Sequence, residues 1–149
     1  MELDRLDRAI IGALIDDARA TYAEIGQRVG LSASAVKRRV DRLRATGAIT
    51  GFSARVEPRV LGWTTEAYVE LYCRGKTSPA QIATAVGRHP EVVSACTVTG
   101  EADALVHIQA TDVSHVERVI ERIAAEPFVV RTKSAIVLSR LINGPSRIP

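Results

Sequence analysis

Gly100, Glu101 and Asp103 stand together in the stretch TVTGEADALVHI, residues 97–108. Two carboxylates beside a glycine, with an apolar run resuming behind them, can serve four purposes. They can form an acid–base pair, hold a metal, grip a cationic ligand, or simply fill a polar turn. Acid–base chemistry lacks a partner within reach. Asp103 and His107 share a strand face, but four residues at roughly 3.3 Å each separate them by about 13 Å, beyond a hydrogen bond. His89 and His115 fall in other elements and accompany no nucleophile motif. No glycine-rich phosphate loop and no metal-ligand frame occurs. Cys73 and Cys96 show neither ligand spacing nor a CxxC arrangement, and read as reduced thiols in strands. The chain is therefore read as a non-enzyme with no metal or cofactor. A turn costs least, since glycine reaches positive φ and acids suit a strand connection. A ligand grip is also sound physically. A glycine turn bares backbone N–H groups for an anion, and a carboxylate accepts from an ammonium.

A second set of residues suggests a different chemistry. Net charge is +3 over 149 residues, and the excess is local. Residues 1–60 hold 11 Lys/Arg against 8 Asp/Glu, whereas residues 61–149 are balanced. Arg28, Lys37, Arg38, Arg39, Arg42 and Arg44 crowd one segment against Asp41 alone. Such a block is either a solvated helix face or a footprint for a polyanion. If Val36, Val40 and Leu43 face inward, helical rotation of about 100° per residue turns Ser34, Arg38 and Arg42 outward. Ser34, Lys37 and Arg38 are then placed for base edges in a major groove, and Ser32 with the helix N–H groups for phosphate. Arg42, and Arg55 further on, suit the phosphate backbone. Arg39 lies at the core edge, for packing or a local ion pair. Protein docking is the competing use of such a module.

These side chains need elements to hold them. Leu3, Leu6, Ile10 and Leu14 predict a first helix ending near Ala18. Thr21 with Glu24 is a capping box for a second helix that Gly30 stops. Ser32 caps a third, closed by Gly47, after a turn short enough for a helix-turn-helix. Residues 48–58 alternate around Gly51 and predict a hairpin, the wing. Domain one is then 1–57 and the linker 58–63, around Pro58 and Gly62. Residues 64–142 read strand, helix, strand, strand, helix, strand, a ferredoxin-like order, and 143–149 are a tail. The fold class expected is α+β. Tyr68 and Tyr72 lie opposite Val69 and Leu71 on the first strand. A sheet apolar or aromatic on both faces points to a homodimer joined sheet to sheet. The competing reading is a pair of half-exposed strand aromatics. No leader and no apolar run of membrane length occurs, so a cytoplasmic location without membrane is expected.

The segment from Leu3 to Trp63, with its frame GLS…V..RV.RL…G.I.G, resembles the leucine-responsive/AsnC (feast/famine) transcription regulators. The likeness runs on through TVTGEADALV to RTKSAIVL. Ala102 departs from it, standing where the family often has an aromatic residue. The resemblance implies double-stranded DNA binding by the first domain and amino-acid sensing by the second. It also implies dimers that assemble into octamers, tetramers of dimers. In such regulators the glycine turn lines an effector site between dimers, faced by the last strand. Carried over, the effector residues are Val98, Thr99, Gly100, Glu101 and Asp103, with Thr132 and Ser134 opposite. Two other functions are weighed against this one. One is an architectural DNA-binding protein of the same fold that ignores effectors. The other is a small-molecule-binding enzyme subunit.

Overall fold

The computed structural model describes residues 2–142, so the tail expected at 143–149 lies outside the described residues. The chain divides into two compact units, one reaching to Arg55 and the other spanning Val56–Leu141.

The first unit is helical. Helix α1 is Arg5–Asp16, α2 is Tyr22–Val29 and α3 is Ala33–Ala45. Each start is held by a short polar side chain. Asp4 and Asp7 form a reciprocal capping box on α1, Thr21 and Glu24 one on α2, and Ser32 accepts from the N–H of Ala35 on α3. The core is Ile10, Ala13, Leu14, Ile25, Val36 and Val40. The turn between α2 and α3 depends on two glycines. Gly30 ends α2 at φ 74°, where a side chain would be strained. Gly26 is buried, and a Cβ there would press into the carbonyl oxygen of Leu31. The expected hairpin is absent among the described residues. Residues 50–57 lie in no strand and are exposed along their whole length. A tight hairpin turn needs positive φ at its centre, and Gly51 does not have it.

The second unit begins with a short 3-10 turn, Pro58–Leu61, inside the segment expected as linker. A four-stranded antiparallel sheet follows in the order β2-β3-β1-β4. Its strands are β1 (Thr65–Cys73), β2 (Val92–Thr97), β3 (Ala104–Ala110) and β4 (Val129–Ile136). Helices α4 (Pro79–Val86) and α5 (Val113–Ala124) supply Ile82, Val86, Val116, Val119 and Ile123 to one sheet face. They pack on Ala67, Val69, Leu71, Ala104, Val106 and Ile108. Both helices carry the caps expected of them: Ser78 with Gln81 and Pro79 on α4, and Asp112 on α5.

The other sheet face carries the aromatic residues, set in a polar lattice. Tyr68 stacks on His107 with ring centroids 4.7 Å apart. Glu66 bonds both His107 and Arg140. Arg131 lies 3.8 Å over the Tyr72 ring, and the Tyr72 hydroxyl donates to Glu70 at 2.7 Å. Tyr68 and Tyr72 are both half-buried without any second sheet.

Candidate nucleic-acid interface and effector turn

Helix α3 carries Lys37, Arg38, Arg39, Arg42 and Arg44. Their arrangement differs from the simple outward face read from the sequence. Arg39 donates to Asp4 at 2.7 Å and to Asp7 at 2.8 Å, so the edge position becomes an ion pair with α1. Arg42, expected to face phosphate, is also turned to α1. It donates from Nη2 to both Asp7 oxygens, at 2.8 and 2.6 Å. Asp7 is only 1% exposed, and a buried carboxylate draws in every donor within reach. Rotation about the helix axis places Arg42 outward, but its long stem bends back to that charge. Lys37, expected at bases, pairs with Asp41 one turn on at 2.6 Å. That pair is exposed at both ends and worth little against solvent.

Arg38 and Arg44 are exposed and make no ion pair among the described residues. Ser34 is exposed beside Ser32, the two hydroxyls 3.1 Å apart. Arg55 is exposed beyond the helices. The Asp4 carboxyl is held below its usual range, first by the Arg39 hydrogen bond and then by the Asp7 N–H. Asp4 and Asp7 were missed in the sequence, although a signal was there. Asp7 occupies a helical position on the same stripe as Leu3, Ile10 and Leu14, where an apolar residue is expected.

The turn at the other candidate site has the geometry its glycine suggests. Gly100 sits at φ 116°, and Thr99, Gly100 and Glu101 are exposed. Val98 is 38% exposed. Asp103 has a structural task that spacing did not show: its Oδ2 accepts from the N–H of Cys73 at 2.6 Å. Its own N–H donates to Leu71 at 2.9 Å, which ties the turn to β1. Thr132 pairs with Leu71, and Leu71 with Ala104, so Thr132 lies two strands from the turn, about 10 Å away. Ser134 lies further along β4, opposite Val69. One chain therefore does not bring Thr132 and Ser134 to the turn residues.

A third polar cluster escaped the sequence reading. Glu91, 5% exposed, accepts from His115 Nε2 at 2.9 Å and from Arg122 at 2.6 Å. Burial alone raises its carboxyl, but the Arg122 and His115 hydrogen bonds outweigh that and bring it to about 2. His115 and Arg122 lie two turns apart on α5, but Glu91 comes from the segment just before β2, so no local spacing could reveal the whole cluster. Among the described residues no group of three or more His, Cys, Asp or Glu is placed to hold a metal. Nor is any described helix long and apolar enough to cross a membrane.

Comparison with known proteins gives these features a family. Residues 3–44 match the AsnC-type helix-turn-helix domain, and residues 66–146 the Lrp/AsnC ligand binding domain. The HTH-type transcriptional regulator Rv2324 of Mycobacterium tuberculosis is 50% identical over 141 residues, 95% of each chain. Among solved structures, the feast or famine regulatory protein Rv3291c of M. tuberculosis, complexed with L-methionine, superposes with a TM-score of 0.92. It is 32% identical, with 99% of this chain and 100% of that one covered. The regulator NMB0573 of Neisseria meningitidis, also an L-methionine complex, gives a TM-score of 0.88. It is 28% identical, over 96% of this chain and 94% of that one. A basic recognition helix on a capped helix-turn-helix, followed by a split β-α-β sheet with an exposed glycine turn, thus has a consistent setting: the chain belongs to the Lrp/AsnC family of transcriptional regulators, with a helix-turn-helix for DNA and a ligand-binding domain.

Proposed function

We propose that this regulator reads double-stranded DNA through α3 and answers to an amino acid bound at the Gly100 turn. The observation that carries the reading is the exposed face of α3, where Arg38, near Ser34, makes no ion pair among the described residues. In a major groove Arg38 suits a guanine edge, Ser32 and the α3 N-terminus suit phosphate, and Lys37, Arg44 and Arg55 add backbone contacts. Arg42 is left out of the contact set because Asp7 holds it.

A free amino acid needs an acceptor for its ammonium and donors for its carboxylate. The N–H groups around Gly100 supply donors, and Glu101 an exposed acceptor. L-methionine complexes of two structural relatives support this class of effector. Thr132 and Ser134 join such a site only from a neighbouring chain, which fits a homodimer that assembles further. Pairing through the open sheet faces would complete the dimer, and dimers would meet at the turns to build octamers. The effector then acts by binding one assembly better than another, the only way linkage lets it shift the balance. The protein works as a cytoplasmic regulator and not as an enzyme.

A band shift on the DNA upstream of the coding sequence, with each amino acid added in turn, tests both halves. A shift altered by one amino acid is expected, and Arg38→Ala should change sequence preference rather than overall affinity. A shift indifferent to every amino acid would favour an architectural role. No shift at low salt would end the DNA reading.

A further inference from the structure

We infer that Asp7 of α1, too deeply buried to touch DNA, determines specificity by holding two guanidiniums of α3 away from phosphate; this rests on the DNA-binding reading above. A helix with five cations between residues 37 and 44 attracts any polyanion, and non-specific affinity grows with each phosphate neutralised. Three of the five are paired inside the unit, but the pairs are not alike. Lys37 and Asp41 keep 62% and 49% of their side-chain surface in solvent. That pair opens at little cost, so Lys37 exchanges freely to a phosphate. Asp7 keeps 1%. Its Oδ1 accepts from Arg39 and Arg42, and its Oδ2 from Arg42 again. If Arg42 left, part of a buried negative charge would lose its compensation, which the fold strongly resists. Arg42 nonetheless keeps 51% of its side chain exposed, so it would reach outward once that hold was gone. The helix thus presents Arg38, Arg44 and an exchangeable Lys37, with Arg39 and Arg42 withheld.

Salt dependence of binding separates a withheld cation from a working one. Binding is measured on the upstream duplex and on a random duplex of equal length, across a salt series. Arg42→Gln should leave the slope of log K against log salt unchanged, whereas Lys37→Gln should reduce its magnitude by about 0.9. Asp7→Asn keeps the side-chain shape and removes the charge. It should steepen the slope by about 0.9 per chain as Arg42 turns to phosphate. Random-duplex affinity should rise and the preference for the upstream duplex should fall. A merely structural Asp7 would instead lower affinity for both duplexes by one common factor and leave the slope alone. That result overturns the inference. So does a loss of about 0.9 in slope from Arg42→Gln, which needs no folded Asp7 variant. If the unmodified chain binds neither duplex at low salt, the DNA-binding reading itself fails and takes this inference with it.

Discussion

Glu91 shows how a single carboxylate can report on the fold around it. Its folded value, about 2, lies below the ordinary 4.5, so the charged form is the one the fold prefers. The stability it contributes is therefore fully present above pH 4.5 and is lost as pH falls toward 2. The size is on the order of 3 kcal/mol. Urea titrations of the chain between pH 7 and pH 2.5 should show Glu91→Gln already destabilised at neutral pH, with the gap to the unmodified chain closing in acid. Parallel curves would mean that Arg122 and His115 do not favour the charged form. Asp7 is likewise a buried carboxylate held by guanidiniums, here those of α3. Neither network was assembled from the sequence, although Asp7 on an apolar stripe and Arg39 at the core edge were partial signals of one of them. Glu91 is 24 residues from His115 and 31 from Arg122, and the guanidinium of Arg42 was assigned from helical rotation alone. Rotation fixes where a Cβ points, but a long side chain follows charge.

At the scale of elements, sequence reasoning succeeded best at the ends of helices, where the signal is local. The capping boxes of α2 and α4, the caps of α3 and α5, and the left-handed stop at Gly30 all stand where they were expected. Each depends on groups within four residues of one another. Gly26 is different, because its reason lies across the turn, at the Leu31 carbonyl. Gly26→Ala should cost about 1–3 kcal/mol through forced separation of α2 from the turn into α3. The cost would appear as a lower urea midpoint for the helical unit and as weaker DNA binding, while the sheet unit melts unchanged. An unchanged midpoint would show that the turn yields easily. The hairpin failed for a related reason. Alternation alone makes residues 50–57 look like a wing, but two short strands are marginal without a third surface to cover them.

For the whole molecule the open sheet face is decisive. It bears Tyr68, Tyr72 and His107 within a lattice of ion pairs, not a bare apolar patch. Proposed pairing through this face predicts a concentration-dependent Tm, because an associating fold is stabilised by mass action. Sedimentation should give a dimer or larger, and Tyr68→Asp should shift it toward monomer with the helical unit intact. A monomer at all concentrations would remove both the sheet-to-sheet dimer and the effector site that needs a second chain. The sheet order β2-β3-β1-β4 also explains why the proposed effector residues do not meet within one chain. Val98–Asp103 is one continuous segment, in which the residues themselves left a polar turn and a ligand grip open and only the family resemblance favoured the grip. Thr132 and Ser134 came from resemblance, and the register places them two strands away.

By itself, the sequence determined the order of helices and strands outside the expected hairpin, the caps that start α2, α3, α4 and α5, and the position of the glycine turn. These follow from side-chain period and from hydrogen bonds between near neighbours. Only the tertiary structure decided which charges are at work. Arg42 is drawn to Asp7, Asp103 to the N–H of Cys73, and Glu91 to Arg122 and His115. A charge settles where burial and its opposite meet, and burial belongs to the folded chain.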